Sequence, residues 1–130
     1  MKNFIGLGHF GFCAHDKEAT IKFYTEVMGF EVITDNEISY GRNASYFLRR
    51  GNLVLEFFID PDNERNFDGP VDHLSFLVDD LDAAIAELKT KGVQFDSDEI
   101  HFDPDLYERG ERFVMFRGPS GERLQLEQIL

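Results

Sequence analysis

The chain repeats itself, and the repeat limits its possible folds more than any other feature. The first copy begins GLGHFGFCAHDKEATIKFY and the second begins VDHLSFLVDDLDAAIAEL. Setting His9 against His73 brings Asp16 onto Asp80 and Ala19 onto Ala83, all at an offset of 64. Gly29 then falls on Gly92 at an offset of 63, after one deletion. Further on, GNLVLEFF starts at Gly51 and GERLQLEQ at Gly121, which pairs Glu56 with Glu127. The second copy carries about seven extra residues between its glycines. A unit of about 60 residues buries only roughly 60% of its unfolded surface and is marginal alone. Two copies sharing one core are expected instead: a single domain over residues 1–130, with module one at about 4–60 and module two at about 71–130. The polar, turn-rich DPDNERNFDGP around residues 61–70 is the linker.

Both copies read as β-α-β-β-β. Residues 5–12 are rich in Phe, Ile and Leu and predict a strand that includes His9. Asp16 is placed to N-cap a helix over Lys17–Met28, and Gly29 to end it in the left-handed conformation. Asp80 caps a second helix, whose Leu81, Ala84, Ile85 and Leu88 fall at i, i+3, i+4 and i+7, and Gly92 ends it. Three extended runs follow each helix. They are Phe30–Asp35, Ala44–Arg50 and Leu53–Ile59, then Val93–Ser97, Arg112–Arg117 and Arg123–Ile129. Fourteen phenylalanines supply bulk for the core, since an aromatic side chain can bury about 150–250 Å².

Composition narrows the class of partner. Thirteen basic residues against 25 acidic ones give a formal charge of -12, which repels nucleic acid and anionic membrane surfaces. No run approaches the roughly 18–20 apolar residues that span a bilayer. The N-terminal MKNFIGLGHFGF has no apolar stretch ending in small residues, so a cytoplasmic location without a secretory signal is expected. The single cysteine, Cys13, excludes an internal disulfide framework. Residues 1–65 carry net -3 and residues 66–130 net -9; seven acids against Arg109 alone lie between Asp96 and Glu111. That segment reads either as a solvated loop or as a lid over a site.

Two carboxylates stand where carboxylates are costly. Glu56 lies in Leu53-Val54-Leu55-Glu56-Phe57-Phe58-Ile59, a run apolar enough for a strand covered on much of both faces. A bare carboxylate there must be paired, protonated or bound to a metal. Glu127 repeats the problem in the closing strand, and His9 and His73 belong to the opening strands. Any one of these alone reads as an ordinary packed or half-exposed residue. Two modules related by a pseudo-twofold axis would bring equivalent strand positions together. Two imidazoles with two carboxylates form a nitrogen–oxygen set suited to a borderline divalent ion.

On HFGFCAHDKEATIKFYTEVMGFEV, GNLVLEFF, VDHLSFLVDDLDAAIAELKTKGVQF and FRGPSGERLQLEQ, the chain resembles the glyoxalase/bleomycin-resistance/dioxygenase group, the vicinal-oxygen-chelate superfamily. The likeness covers essentially the whole chain. It implies an α+β fold of two tandem βαβββ modules forming a half-open barrel around a metal site. The metal ligands it implies are His9, Glu56, His73 and Glu127, around one divalent ion among Ni, Zn, Co, Mn and Fe. It also implies a small-molecule substrate and a homodimer.

The four-ligand pattern is closest to glyoxalase I, which isomerises the hemithioacetal of methylglyoxal to a thioester. By that resemblance Glu127 or Glu56 moves the proton between adjacent carbons. FFIDPD stands where bacterial glyoxalase I has a polar-aromatic-glycine motif, and the arginines that would hold a glutathione carboxylate lack clear counterparts, although Arg42, Arg49 and Arg117 are available. An epimerase using the same proton transfer is therefore an equal expectation. An extradiol-type dioxygenase needs only two histidines and one carboxylate, and Glu56 would take a position it requires open. A bleomycin-resistance-like binding protein would suit the acidic charge but not a complete ligand set. Among other residues, His15 is expected at the surface, and His101 lies in the acidic segment, with reach to the site as the alternative to a solvated position. Tyr46 and Tyr107 either pack or donate to substrate, Cys13 is a small packing residue, and Gly118–Gly121 is a hairpin connection.

Overall fold

The computed structural model describes residues 6–33, 38–40, 43–61, 71, 73–104 and 107–130. The chain divides into two compact units, Met1–Glu64 and Arg65–Leu130. Most of the expected linker, with Arg42 and Asp35, lies outside the described residues.

In the first unit, β1 (Phe10–Ala14) leads into α1 (Lys17–Lys22) and a π-helical turn over Phe23–Val27. Then come β2 (Glu31–Val32), β3 (Ile38–Tyr40), β4 (Asn43–Arg50) and β5 (Leu53–Ile59). The strands form one sheet in the order β1-β5-β4-β2, with β3 also on β4; β1 runs parallel to β5, and the pairs with β4 are antiparallel. Asp16 caps α1 as its sequence position requires, its Oδ1 accepting from the Ala19 N–H at 2.9 Å. The helix expected over Lys17–Met28 widens in its second half. Met28 N–H donates to the Phe23 carbonyl at 3.1 Å, five residues back, and the Thr25 hydroxyl donates to the Ile21 carbonyl at 2.8 Å. Such back-bonding by a hydroxyl competes with the regular ladder and loosens it. Gly29 ends the segment at φ 72°, and Arg50 caps it by donating to the carbonyls of Met28 and Gly29 at 2.7 and 3.1 Å.

Alternation along the strands sorts this sheet into two faces. Phe12, Ala14, Tyr46, Leu48, Leu55 and Phe57 are buried, and Tyr24 of the helix packs on Phe57 with ring centroids 4.7 Å apart. The other parity carries His9, Phe47, Glu56 and Phe58, on the face away from the helix. Leu55, Glu56 and Phe57 are buried in succession, so the middle of β5 is covered on both faces, by the helix on one of them.

The second unit repeats the pattern. β6 (Leu74–Leu77), α2 (Leu81–Thr90), β7 (His101–Asp103), β8 (Glu111–Arg117) and β9 (Arg123–Ile129) follow in order. The sheet order is β6-β9-β8-β7, with β6 parallel to β9 and the other pairs antiparallel. Asp80 caps α2 by accepting from the Ala83 N–H at 2.9 Å, and Gly92 turns away at φ 83°. Leu81 and Leu88 are buried with Val114, Phe116, Leu124 and Leu126. Gln128 ties the helix start to β9, accepting from the Leu81 N–H at 3.3 Å and donating to the Asp79 carbonyl at 2.9 Å. The Gly118–Gly121 connection is a hairpin turn as expected, closed by Gly121 N–H to the Gly118 carbonyl at 3.0 Å.

Three expected elements move. The opening strand begins at Phe10, so His9, like His73 before Leu74, stands one residue ahead of its strand. Within the run Phe30–Asp35 the described strand is Glu31–Val32, and the Ile33 N–H also donates to the Phe47 carbonyl at 2.8 Å. Val93–Ser97 makes a single bridge, Phe95 to Phe116, because the chain leaves the helix and touches β8 there only once. The fourth strand lies instead at His101–Asp103, inside the acidic segment. Edge strands are held chiefly by their backbone ladder, so a polar sequence serves.

Candidate functional site

Each module presents candidate groups on the sheet face opposite its helix. In the first, the Glu56 side chain is only 7% exposed, and its Oε2 lies 3.0 Å from His9 Nε2. The His9 ring meets Phe47 edge-on at 5.7 Å. Burial of Glu56 demands a compensating charge or donor, and the exposed imidazole of His9 supplies one when protonated. At 3.0 Å the His9–Glu56 contact is a hydrogen-bonded ion pair, and its imidazole–carboxylate chemistry fits a divalent ion.

In the second module, Glu127 is the hub. Its Oε2 accepts from the Ser75 hydroxyl at 2.7 Å and its Oε1 from the Tyr107 hydroxyl at 2.9 Å. Glu111, 5% exposed, is hydrogen-bonded to Glu127. Burial pushes the Glu111 pKa up, and the charges of Glu127 and Asp103 and the hydrogen bond push the same way; His73 opposes them. The hydrogen bond to Glu127, then the Glu127 charge, raises the Tyr107 pKa. Tyr107 reaches this position with φ 61°, unusual for a residue with a Cβ.

The ladders show which residues correspond between modules. Glu56 pairs with Gly11, two residues past His9, and with Phe47 on its other side. The residue pairing with Ser75, two past His73, is Gln125, flanked by Met115. Glu127 pairs with Leu77, a further step along. The sequence pairing of Glu56 with Glu127 thus departs from the strand register, because a longer turn precedes β9 than β5.

The remaining candidates sort by face. His101 stacks on Phe113 at 5.1 Å, in the row of Glu127. Tyr46 is buried on the helix-covered face, with Lys17 Nζ 4.4 Å above its ring, so it packs. His15 is half-buried rather than at the surface, and Cys13 is half-buried. Arg49 reaches Glu31 at 3.9 Å, and Arg117 donates to the Gly121 carbonyl at 2.9 Å. Ser75, Glu111 and Gln125 escaped the sequence reading. Ser75 lies at His73+2, the signal that could have found it, whereas Glu111 was counted only as bulk charge. Among the described residues, no three His, Cys, Asp or Glu side chains are grouped so as to hold a metal ion.

The family model of the Glyoxalase/Bleomycin resistance protein/Dioxygenase superfamily matches residues 6–126. The chain belongs to this superfamily. It is 33% identical over 125 residues to YwkD of Bacillus subtilis, covering 91% of this chain and 92% of that one. It is 31% identical over 126 residues to YaeR of Escherichia coli, with the same coverage. Among solved structures, the glyoxalase family protein from Enterococcus faecalis superposes with a TM-score of 0.80 at 27% identity, covering 95% of this chain and 98% of that one. The fosfomycin resistance protein FosX from Listeria monocytogenes shares the fold, with a TM-score of 0.71 at 17% identity, covering 98% and 95%. The superfamily's tandem βαβββ modules are the two units described above. No helix among the described residues is long and apolar enough to cross a membrane.

Proposed function

We propose that this superfamily member is a divalent-metal-dependent lyase or isomerase of glyoxalase I type, acting on a small oxygenated substrate. The observation that carries this reading is the buried Glu56 carboxylate, 3.0 Å from the His9 imidazole on the helix-free face of its sheet. His9, Glu56 and His73 would hold the ion, with a fourth donor from β9, where the sequence pairing points to Glu127. When bound, the ion would withdraw charge from substrate oxygens and so acidify the neighbouring C–H.

The chain's own residues would move the proton. Glu127 or Glu56 takes a proton from the carbon beside the carbonyl and returns it to the adjacent carbon. No net oxidation occurs and the base is regenerated. Ser75 and Tyr107 fix the Glu127 carboxylate, so that little reorganisation is needed as the proton moves. Phe47, Phe58 and Phe113 supply apolar surroundings on these faces, and a drier setting strengthens such interactions. Assembly as a homodimer is part of the proposal and is checked by light scattering.

The test is proton exchange at carbon. Metal-loaded protein is mixed in deuterated water with methylglyoxal and each of several low-molecular-weight thiols, and with small 2-oxo compounds. Thioester formation or deuterium incorporation is followed by NMR. The reading expects one of these and its loss, by at least about 100-fold, in Glu127→Gln or Glu56→Gln. Tight ligand binding with no exchange at any carbon would favour a binding protein. Catechol-dependent oxygen uptake would favour a dioxygenase.

A further inference from the structure

Gly29 and Gly51 both take positive φ, 72° and 58°, one just past the first helical segment and the other in the turn between β4 and β5. Together with Glu31, Arg49 and Arg50 they line a cavity of about 340 Å³. Neither glycine puts a side chain into it, and a Cβ at Gly29 would overlap the Arg50 guanidinium. The cavity belongs wholly to the first unit and owes nothing to the metal reading above.

Its cations are held in two different ways. Arg50 donates to the carbonyls of Met28 and Gly29 at 2.7 and 3.1 Å, both times from Nη1. A guanidinium carries five N–H donors on three nitrogens, so this fork is fixed in place with donors left for a further acceptor. A donor fixed in advance loses little freedom on binding. Arg49, exposed beside it on β4, lies 3.9 Å from the Glu31 carboxylate. That separation is too long for a hydrogen bond. The Glu31 side chain is 81% exposed, and ion pairs of this kind contribute little and part readily. Glu31 thus marks a position where Arg49 accepts an anion, and it can swing into solvent to vacate that position.

A planar carboxylate presents two oxygens and is satisfied by one guanidinium fork, whereas a tetrahedral phosphate presents enough oxygens to meet two. We propose that the Arg49–Arg50 cavity binds a small phosphate-type dianion, with Glu31 as the internal carboxylate that the ligand displaces. The chain as a whole carries -12, so binding depends on this local cation pair, which salt screens less than the charges beyond about 8–10 Å.

NMR of the isotope-labelled full chain tests this at about pH 7.5, where phosphate is mostly the dianion. The arginine Nε–H signals and the backbone amides of Gly29, Glu31 and Gly51 are followed during titration with inorganic phosphate, glycerol phosphate and acetate, at constant ionic strength set with chloride. The proposal expects saturable shifts at these positions with at least one phosphate, at a Kd at least about tenfold below that of acetate. The tighter of the two phosphates names the source, a free ion or an ester. Arg49→Gln should weaken phosphate binding by at least about tenfold, and Glu31→Gln should tighten it by about two- to fivefold. Arg50→Lys, which keeps a donor for the helix carbonyls but loses the fork, should weaken it as well; if that variant fails to fold, the other two decide. Shifts that never saturate, that acetate reproduces equally or that survive Arg49→Gln unchanged would overturn the proposal, as would unchanged or weaker binding in Glu31→Gln.

Discussion

Neighbouring phenylalanines on β5 test the face assignment on which the site depends. Phe57 is 1% exposed and lies on the helix-covered face, with its ring 5.7 Å from Phe12 and 4.7 Å from Tyr24. Phe58 is half-buried and shares the parity of Glu56. Removing a buried phenylalanine side chain typically costs about 3–5 kcal/mol, counting lost transfer energy and the cavity left behind. At about 3–4 °C per kcal/mol for a chain this size, Phe57→Ala should lower the melting temperature by about 10–20 °C. Phe58→Ala leaves an opening rather than a sealed cavity and should cost less than half as much. Urea unfolding followed by far-ultraviolet circular dichroism, with m-values compared, measures both. Equal losses, or a larger loss for Phe58→Ala, would refute the division into a packed face and a functional face. Glu56 would then be a core carboxylate.

Two further perturbations follow from the local geometry. Gly29→Ala forces a side chain into the left-handed region, at about 1–2 kcal/mol, and its Cβ would overlap the Arg50 guanidinium. A loss of about 2–3 kcal/mol is expected once weakening of the Arg50 cap is added, falling to about 1–2 kcal/mol in an Arg50→Ala background; additivity in that double-mutant cycle would contradict the account. Glu111, with a folded pKa above its ordinary 4.5, makes the folded state bind more protons than the unfolded one. Its contribution is fully present below the ordinary value and is lost as pH rises through the raised one. Glu111→Gln should therefore gain stability relative to wild type between pH 5 and pH 8 in chelator-treated protein, and parallel stability curves would refute the assignment.

The helices and the closing strands were legible because local chemistry sets them. Asp16 and Asp80 cap where their positions in the repeat place them, and Gly29 and Gly92 take positive φ where a helix must end. The strands Leu53–Ile59 and Arg123–Ile129 follow from apolar pattern alone. The π-helical turn was not legible, since it depends on how Tyr24 seats against Phe57 and on the Thr25 hydroxyl. Nor was β7, whose polar edge sequence carries no burial pattern. His9, Glu56, His73 and Glu127 stood out as polar groups in apolar strands. The partners of Glu127 did not, because they come from three other segments. The correspondence of Glu56 with Gln125 depends on the ladder register, which the longer turn before β9 shifts relative to the linear alignment.

Binding of one divalent ion is the core of the proposed function. Equilibrium dialysis against nickel, zinc, cobalt, manganese and iron(II), followed by elemental analysis, addresses it most directly. The account predicts about one tightly held divalent ion per chain and at least about a 100-fold loss of affinity in both Glu56→Gln and His73→Ala. An empty wild-type protein, or full retention in both variants, would contradict it.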